Sequence, residues 1–557
     1  MTERQSTTRL NAPRIISLLT AALLCALCCH ARADGAEGKA PPLEVGFDAA
    51  GLNSIHYAGT ELLASGRLAV QKVTFRKADG STYAADLKDP AVTFDRAARR
   101  LVMKYAWGAI ACTYTPKPDR VELAITVSNS AADPIHEAAL APMELKFPAE
   151  PKWSRLYADA FGRMKVTRSH HGMDAPTIIP ADYGAGVVVL CDDRPGGPLT
   201  VGLEGKGSTC RVSVRAGGDR MVFDEVYLAR PIAPGKSDAY AISLRFGPAG
   251  TDPLDLADDV CKAYEKAFPM TLKWPDRRPI TRLFPAGGLP LKEVVERAKD
   301  PEKMSQPSEP DPEFRKQALR KVDAAVKQAL ALNAQGIIVW EIEGTAIGRI
   351  TYVGDPRQTR WLNPQMDLVA DEFFKRMTDA GLRPGVCIRP TRITCDKEKD
   401  TVQHSYGAAK DPFSELDDKI QYAKKRWNCS LFYIDTNVVY RPRGGKDSEW
   451  SAALIPADIW KRLNEKHPDV LLVPELGFPL CYAYTVPYSE MDMGARTTPE
   501  MIRRIWPAAT GALQLEDNDP VESHDLLVAA VRVGDIIMTN GGGARHAVSI
   551  GGAFQEA

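Results

Sequence analysis

Hydrophobic and polar residues alternate in short runs over the first half of the chain, from about residue 42 to residue 247. Over 121–128, Val, Leu, Ile and Val occupy every second position, which is the period-two pattern of a half-buried strand. Similar short runs lie at 68–75, 187–191 and 240–246, and Gly, Pro, Asp and Asn separate them. Many short strands at such spacing predict a β-sandwich. Apolar residues at three-to-four spacing over 254–268 then predict a helix.

From residue 280 the pattern changes to apolar runs that alternate with amphipathic segments. The runs lie at 280–284, 336–340, 385–388, 431–434 and 470–473, with less regular ones at 484–488, 511–515 and 535–539. Helical spacing spans 314–330, 366–377 and 416–427. Buried strands that alternate with helices are typical of a parallel sheet, and eight of them in about 280 residues predict a (β/α)8 barrel. An open doubly wound sheet is the alternative, and the glycine-rich segment 541–546 leaves little room for an eighth helix.

The N-terminus has the pattern of a secretory signal peptide. Arg4, Arg9 and Arg14 come before or at the start of an apolar stretch from Ile15 to Cys29, and Ala31-Arg32-Ala33 has the small-x-small form of a cleavage site. The apolar stretch is shorter than the roughly 20 residues that span a bilayer. The sequence therefore predicts a signal peptide over 1–33, a sandwich domain over 34–268, a linker over 269–279 and a barrel over 280–557. The mature protein is expected in the periplasm or secreted.

Charge and cysteine content narrow the classes of partner. The signal peptide holds four of the 71 basic and one of the 71 acidic residues, so the mature chain has a net charge of about −3. The chain therefore lacks the excess of basic residues with which proteins bind nucleic acid or an anionic membrane. No segment after the signal is long and apolar enough to span a membrane. Eight cysteines remain after cleavage, and disulfides and buried free thiols are equally compatible with an exported chain of this size.

Candidate chemistry lies where the predicted barrel strands end, because barrel active sites form at the carboxyl ends of the strands. The residues there are Trp340, Glu341 and Glu343 after the second strand, Arg389 after the third, Tyr433, Asp435 and Asn437 at the fourth, Glu475 after the fifth, and Glu490 and Asp492 after the sixth. Asp435 and Glu475 directly follow buried runs. An unpaired carboxylate there costs several kcal/mol, so each is expected to have a partner or a role.

Two carboxylates that face one pocket suit glycosidic cleavage, in which one attacks or stabilises the anomeric carbon and the other protonates the leaving oxygen. Trp340 and Tyr433 are placed to stack on sugar rings. The chain has no Gly-x-Ser-x-Gly elbow, Walker loop or His-Glu-x-x-His motif. His170-His171 is interpreted as a solvated loop rather than a metal site, and neither a metal nor a cofactor is predicted.

Three segments resemble the melibiase-type α-galactosidases. Gly381-Leu-Arg-Pro-Gly-Val-Cys-Ile-Arg-Pro390 is similar to their third-strand segment, and Leu431-Phe-Tyr-Ile-Asp-Thr-Asn437 to their fourth. His467-Pro-Asp-Val-Leu-Leu-Val-Pro-Glu475 is similar to their fifth strand, and Tyr488-Ser-Glu-Met-Asp492 to the region of their acid/base. The resemblance implies a galactose-mutarotase-like sandwich before the barrel, Asp435 as nucleophile, and a carbohydrate substrate.

This chain departs from that family at several positions. Tyr433 stands where the family has a Lys, Glu341 and Glu343 stand for its paired aspartates, and Pro474-Glu475-Leu476-Gly477 replaces its Cys- and Gly-rich segment. The predicted function is an exported, retaining-type α-glycoside hydrolase with Asp492, Glu490 or Glu475 as acid/base. Arg389 and Asn437 are expected to bind substrate with Trp340, Tyr433 and the two strand-two glutamates. The alternative is a non-catalytic carbohydrate-binding protein on a degenerate hydrolase scaffold.

Overall fold

The structure is a computed structural model. It describes residues 42–149, 151–153, 169–172, 178–192, 210–217, 220–228, 231–285, 307–344, 354–396, 401–405, 411–443, 446–490, 497–515, 524–539 and 544–557. The predicted signal peptide lies outside these residues, as do Asp492 and the segment 516–523. Residues 43–557 form one compact unit. No helix in the described part of the chain has the length and apolar character that crossing a bilayer requires.

The first half is a stack of antiparallel strands. Their bounds are β1 Leu43–Asp48, β2 Gly51–Tyr57, β3 Thr60–Glu61, β4 Leu63–Ser65, β5 Ala69–Arg76, β6 Thr82–Ala84, β7 Ala91–Asp95, β8 Arg100–Tyr105, β9 Gly108–Pro116, β10 Arg120–Asn129, β11 Ile135–Ala141, β12 Glu144–Lys146, β13 Lys152–Trp153, β14 Ser169–Gly172, β15 Ile178–Asp182, β16 Gly186–Asp192, β17 Cys210–Gly217, β18 Arg220–Leu228 and β19 Ser237–Pro248. One sheet has the order β13-β15-β16-β19-β10-β9-β8-β7, and a second has β14-β17-β18-β11-β5-β6 with β12 and β4 attached. A third sheet of three strands has the order β1-β2-β3. This is the predicted β-sandwich.

Strand β10 shows why the period-two pattern was informative. Val121, Leu123, Ile125 and Val127 are buried in the sandwich core, whereas the residues between them are partly or fully exposed. The same core takes Ile110 and Cys112 from β9 and Tyr240, Ile242 and Leu244 from β19. Alternation along the strand therefore directs one face into the core and the other outward.

Two helices follow the sandwich where one was predicted. Helix α1 spans Pro253–Leu256 and α2 spans Asp258–Ala267. They are separated at Ala257, whose backbone is not helical (φ −107°, ψ 11°). Asp252 caps α1 by accepting a hydrogen bond from the Leu254 amide at 2.9 Å.

The second half is a barrel of parallel strands. Its strands are β20 Ile280–Leu283, β21 Gly336–Val339, β22 Arg383–Ile388, β25 Leu431–Ile434, β28 Leu471–Pro474, β29 Tyr488–Glu490, β30 Ala512–Leu515 and β31 Ile536–Thr539, and the hairpins β23 Arg392–Asp396 with β24 Thr401–Ser405 and β26 Val438–Arg443 with β27 Lys446–Leu454 follow its third and fourth strands. The helices are α3 Pro312–Ala331, α4 Thr359–Leu362, α5 Pro364–Asp379, α6 Pro412–Trp427, α7 Ala457–Lys466, α8 Glu500–Ile505, α9 His524–Val533 and α10 Ala544–Glu556. The parallel ladder has the order β28-β25-β22-β21-β20-β31-β30-β29. The predicted barrel, rather than an open sheet, is confirmed.

The barrel closes just before its sixth strand. The Val486 amide donates a hydrogen bond to Leu472 O in β28 at 2.9 Å, which joins the two ends of the ladder. The sixth strand begins at Tyr488, later than the predicted 484–488, because Pro479–Ala483 forms a 3₁₀ turn and takes the place of a fifth helix.

Two sequence-based expectations were wrong. An eighth helix exists, because Ile550 and Ala553 of α10 are buried and its end is tied to α9 by His524 and Glu556 (Nε2 to Oε2, 2.7 Å). His170 and His171 lie in strand β14, which pairs antiparallel with β17, and not in a loop.

The barrel and the sandwich share one core. Val187 and Val189 of β16 and Tyr264 of α2 belong to the same buried cluster as the outer faces of the barrel strands. Trp506, after α8, donates its indole N–H to Phe268 O at 2.9 Å, and Thr271 Oγ1 donates to Asn464 Oδ1 at 2.7 Å. Cys112, Cys261, Cys387 and Cys429 are buried free thiols, and Cys191 and Cys481 are buried as well.

Candidate active site

The register of three neighbouring barrel strands brings Arg389, Asp435 and Glu475 together. Tyr433 pairs with Cys387 on one side and with Val473 on the other, and all three face the barrel interior. Two residues further along, Asp435 N donates to Ile388 O at 2.9 Å and Glu475 N donates to Ile434 O at 3.0 Å, so the ladder continues. Because side chains alternate along a strand, the three charged residues form the next inward layer.

Arg389 and Asp435 form a buried ion pair. Arg389 Nε donates to Asp435 Oδ2 at 2.6 Å, and Nη2 of the same guanidinium also contacts that oxygen. Asp435 is only 4% exposed. Burial of an isolated carboxylate is costly, and a charge-assisted hydrogen bond offsets that cost. The partner that the sequence required for Asp435 is thus Arg389, a residue predicted to bind substrate.

Glu475 lies directly beside Asp435. Its Oε2 accepts the Thr436 backbone N–H at 2.6 Å, from the residue that directly follows Asp435. Burial and then the negative charge of Asp435 raise the pKa of Glu475 to about 7. Two adjacent buried carboxyls do not ionise independently, so the protonation of Glu475 depends on the charge beside it.

The two residues after Asp435 are fixed by the strand-five loop. Asn437 donates from Nδ2 to Leu476 O at 2.8 Å and accepts from Leu476 N at Oδ1 at 2.7 Å, and its side chain is fully buried. Thr436 adopts φ +45°, a left-handed conformation that costs a β-branched residue roughly 1–3 kcal/mol. The hydrogen bond that Thr436 N donates to Glu475 and those that Asn437 makes with Leu476 hold this strained turn in place.

Two further carboxyls follow the second strand. Glu343 is buried, its Oε1 accepts the Asp355 N–H at 2.8 Å, and its Oε2 has no hydrogen-bond partner among the described residues. Burial raises the pKa of Glu343 to about 7. Glu341 is half-buried with φ +54°, and burial followed by the charges of Glu343 and Asp435 raises its pKa to about 7.

Beneath the charged layer, aromatic rings fill the barrel. Trp340 and Tyr433 are 4.3 Å apart between ring centroids, and Tyr433 meets Tyr488 edge-on at 5.1 Å. All three rings are buried, and Arg282 lies over the Trp340 ring at 5.0 Å. Phe284, at 6.1 Å from Trp340 and 39% exposed, is the more accessible ring at the end of the first strand.

The remaining candidates lie at the sixth strand. Glu490 is the last residue of β29 and pairs in register with Gln514 of β30. The side chain of Glu490 and all of Asp492 lie outside the described part of the structure.

The sequence did not reveal a buried charge cluster behind this site. Lys419 of α6 is fully buried and donates to Arg389 O and Thr391 O, each at 2.7 Å. The signal that could have identified it is its position three residues after Leu416, on the apolar face of an amphipathic helix. A lysine on that face needs buried partners.

Solved structures share this architecture. An α-N-acetylgalactosaminidase from Bifidobacterium bifidum, solved with GalNAc, is 10% identical, with a TM-score of 0.53 over 93% of this chain and 92% of its own. A GH31 family sulfoquinovosidase from E. rectale, solved with an aza-sugar inhibitor, is 9% identical, with a TM-score of 0.50 over 92% of this chain and 82% of its own. No protein-family model and no curated protein matches the sequence.

These likenesses establish the fold. The chain has the β-sandwich plus (β/α)8 barrel fold of these two glycosidase structures, which is the fold that its sequence predicted. Within that class it stands far from both structures in sequence, so the roles of individual residues rest on its own site.

Proposed function

We propose that the protein is an exported glycoside hydrolase that cleaves α-glycosidic bonds with retention of configuration, with Asp435 as the nucleophile. The observation that carries the proposal is a buried carboxylate at the end of the fourth barrel strand, ion-paired to Arg389 and beside a second carboxyl. Arg389 compensates the charge of the Asp435 carboxylate, which is the form that attacks an anomeric carbon.

The geometry favours the sixth strand as the source of the acid/base. Nucleophile and acid/base of a retaining enzyme lie about 5–5.5 Å apart with the glycosidic bond between them. Glu475 Oε2 is held by the backbone N–H of Thr436, the neighbour of Asp435, so its carboxyl lies beside Asp435 and not across a bound sugar from it. Glu490 and Asp492 are therefore the acid/base candidates, and Glu475 is a neighbour that tunes the nucleophile.

The test combines trapping with matched variants. A panel of aryl α-glycosides identifies a substrate, the anomer first released is read by NMR, and a 2-deoxy-2-fluoro glycoside traps the intermediate for peptide mass spectrometry. The label is expected on Asp435, and Asp435→Asn is expected to be folded and inactive. A label on another residue, or release of the inverted anomer, contradicts the mechanism.

The acid/base assignment has its own variants. Glu475→Gln mimics the protonated form and should retain kcat within about tenfold. Glu490→Gln or Asp492→Asn should lose about 10²–10⁴-fold on substrates with poor leaving groups and far less on activated aryl glycosides, because general acid catalysis matters least there. Loss of all turnover in Glu475→Gln on every substrate assigns the acid/base to Glu475 instead.

A second candidate function is carbohydrate binding without hydrolysis. The hydrogen bond from Arg389 to Asp435 Oδ2 favours this second function, because the bond occupies one of the two carboxylate oxygens that could attack a sugar. Binding of sugars by calorimetry with no turnover across the same panel is its expected outcome.

Export is part of the proposal and rests on the pattern of residues 1–33. N-terminal sequencing of the protein recovered outside the cytoplasm is expected to begin at Asp34. A mature protein that retains the apolar stretch contradicts cleavage.

A further inference from the structure

Lys419 lies directly behind the Arg389–Asp435 pair without facing the pocket. Its side chain is fully buried, and its Nζ donates to Arg389 O and to Thr391 O, each at 2.7 Å. These two carbonyls belong to the turn that leaves the third barrel strand. The ammonium therefore holds the backbone of the residue whose guanidinium holds Asp435.

The charge of Lys419 is balanced within a buried cluster. Its Nζ lies 3.5 Å from Glu415 Oε1 and 4.0 Å from Asp355 Oδ2. Arg357 joins these two carboxylates, with hydrogen bonds of 2.8 Å from Nε and Nη2 to Asp355 and a further ion pair to Glu415. Burial lowers the pKa of Lys419, and the charges of Asp355 and Glu415 oppose that shift.

The loop that contains Asp355 also contacts Arg389, at its backbone amide. Gly354, directly before Asp355, accepts the Arg389 N–H at 2.9 Å. A Cβ on Gly354 would lie 2.6 Å from Arg389 Cγ, so the loop is packed tightly against it. Both backbone polar groups of Arg389 therefore make hydrogen bonds to this cluster. Lys419 Nζ donates to its carbonyl, and the Gly354 carbonyl accepts its N–H.

We infer that Lys419 is a positioning residue for the proposed glycosidase reaction: through the two carbonyls it sets the position of Arg389, and Arg389 sets that of Asp435. The inference rests on the proposed function for its kinetic consequence, although the contacts stand without it. A buried ion pair is weak evidence for stability in its own right. A misplacement of a reacting group by about 1 Å costs about 100-fold in rate.

The experiment separates positioning from stability. Lys419→Met removes the two hydrogen bonds but leaves two buried carboxylates with one cation. The double variant Lys419→Met/Glu415→Gln also removes one carboxylate, which restores the charge balance between Arg357 and Asp355. Lys425→Met, an exposed lysine on the same helix, is the control.

The double variant is expected to fold with a lower melting temperature, because two carbonyls lose their donor, and to lose about 10- to 100-fold in kcat with little change in KM. Lys425→Met should match the wild type in both measures. A folded double variant with wild-type kcat overturns the inference, because the two hydrogen bonds of Lys419 then do not position Arg389 and Asp435. A loss confined to KM also overturns it.

A measurement that needs no turnover distinguishes failure of this inference from failure of the proposed function. Carbodiimide-driven amidation of Asp435, followed by peptide mass spectrometry at fixed pH, is expected to be several-fold faster in the folded double variant, since its carboxylate is less firmly held by Arg389. An unchanged labelling rate overturns the inference. If the wild type hydrolyses no glycoside while the labelling rate rises, the proposed function fails and the positioning role of Lys419 stands.

Discussion

At the scale of single residues, the site brings together several carboxyls that keep their protons to a higher pH than usual. Burial raises the pKa of Glu343, Glu475 and Glu341 to about 7, whereas Arg389 compensates Asp435 directly. Opposite environments for carboxyls in one pocket are the usual basis for different acid–base roles. The raised pKa values also make the stability of the folded chain depend on pH.

Glu343→Gln is expected to stabilise the protein at pH 8 and to have little effect at pH 4. The folded-state pKa of about 7 lies above the unfolded value of about 4.3, so the folded state binds the proton more tightly and stability from this group falls as pH rises between them. The stabilisation by Glu343→Gln at pH 8 is at most about 3 kcal/mol of unfolding free energy. Thermal unfolding at both pH values measures it, and an equal effect at the two contradicts a raised pKa.

Asn437→Ala tests whether this buried amide positions the segment that holds the proposed nucleophile. The variant leaves Leu476 N and O without their partners, which is expected to cost roughly 2–4 kcal/mol of unfolding free energy and to lower kcat. Chemical denaturation and kinetics on the same preparation measure both. Asn437→Ser keeps one polar group, so its stability and its kcat should lie between those of Asn437→Ala and those of the wild type. A rise in KM at wild-type stability instead supports the substrate contact that the sequence predicted.

At the scale of elements, the barrel strands were recognisable because they are apolar on both faces. Seven of the eight predicted strands overlap the observed ones by most of their length, and the sixth lies later because the segment before it is a 3₁₀ turn. The eighth helix was missed because glycines weaken the helical pattern. Gly551 and Gly552 are tolerated there because the helix packs on α9 through Ile550 and Ala553.

Two glycine variants test these elements. A Cβ on Gly385 in β22 would lie 2.3 Å from Leu431 O in the neighbouring strand, so Gly385→Ala is expected to prevent soluble expression or to lower the melting temperature strongly. Gly551→Ala meets no atom within 4 Å and is expected to stabilise helix α10 by up to about 1 kcal/mol. Differential scanning fluorimetry compares them, and a destabilising Gly551→Ala contradicts a helix there.

At the scale of the whole molecule, the sandwich and the barrel are expected to unfold together. Their contact is a continuous apolar core that includes Val187, Val189 and Tyr264, supported by the Trp506–Phe268 hydrogen bond. A large apolar interface couples domains, whereas small polar ones leave them independent.

Calorimetry of the chain without residues 1–33 should therefore show one transition. Seven of its nine tryptophans lie after residue 268, so indole fluorescence reports mainly on the barrel, and far-UV circular dichroism reports on both halves. The two probes are expected to give the same midpoint. Separate midpoints contradict the shared core.

The sequence by itself determined the architecture, because strand and helix periodicity states which residues face a core. It also located Asp435 and Glu475, because a carboxylate directly after a buried run is conspicuous. Only the tertiary structure decided what these residues contact. Arg389, Asp435 and Glu475 are about 40 residues apart in sequence and meet through strand register, and Lys419 reaches them from a helix. Long-range pairing, left-handed turns at Thr436 and Glu341, and charge compensation leave no periodic trace along the chain, since they depend on which strands become neighbours.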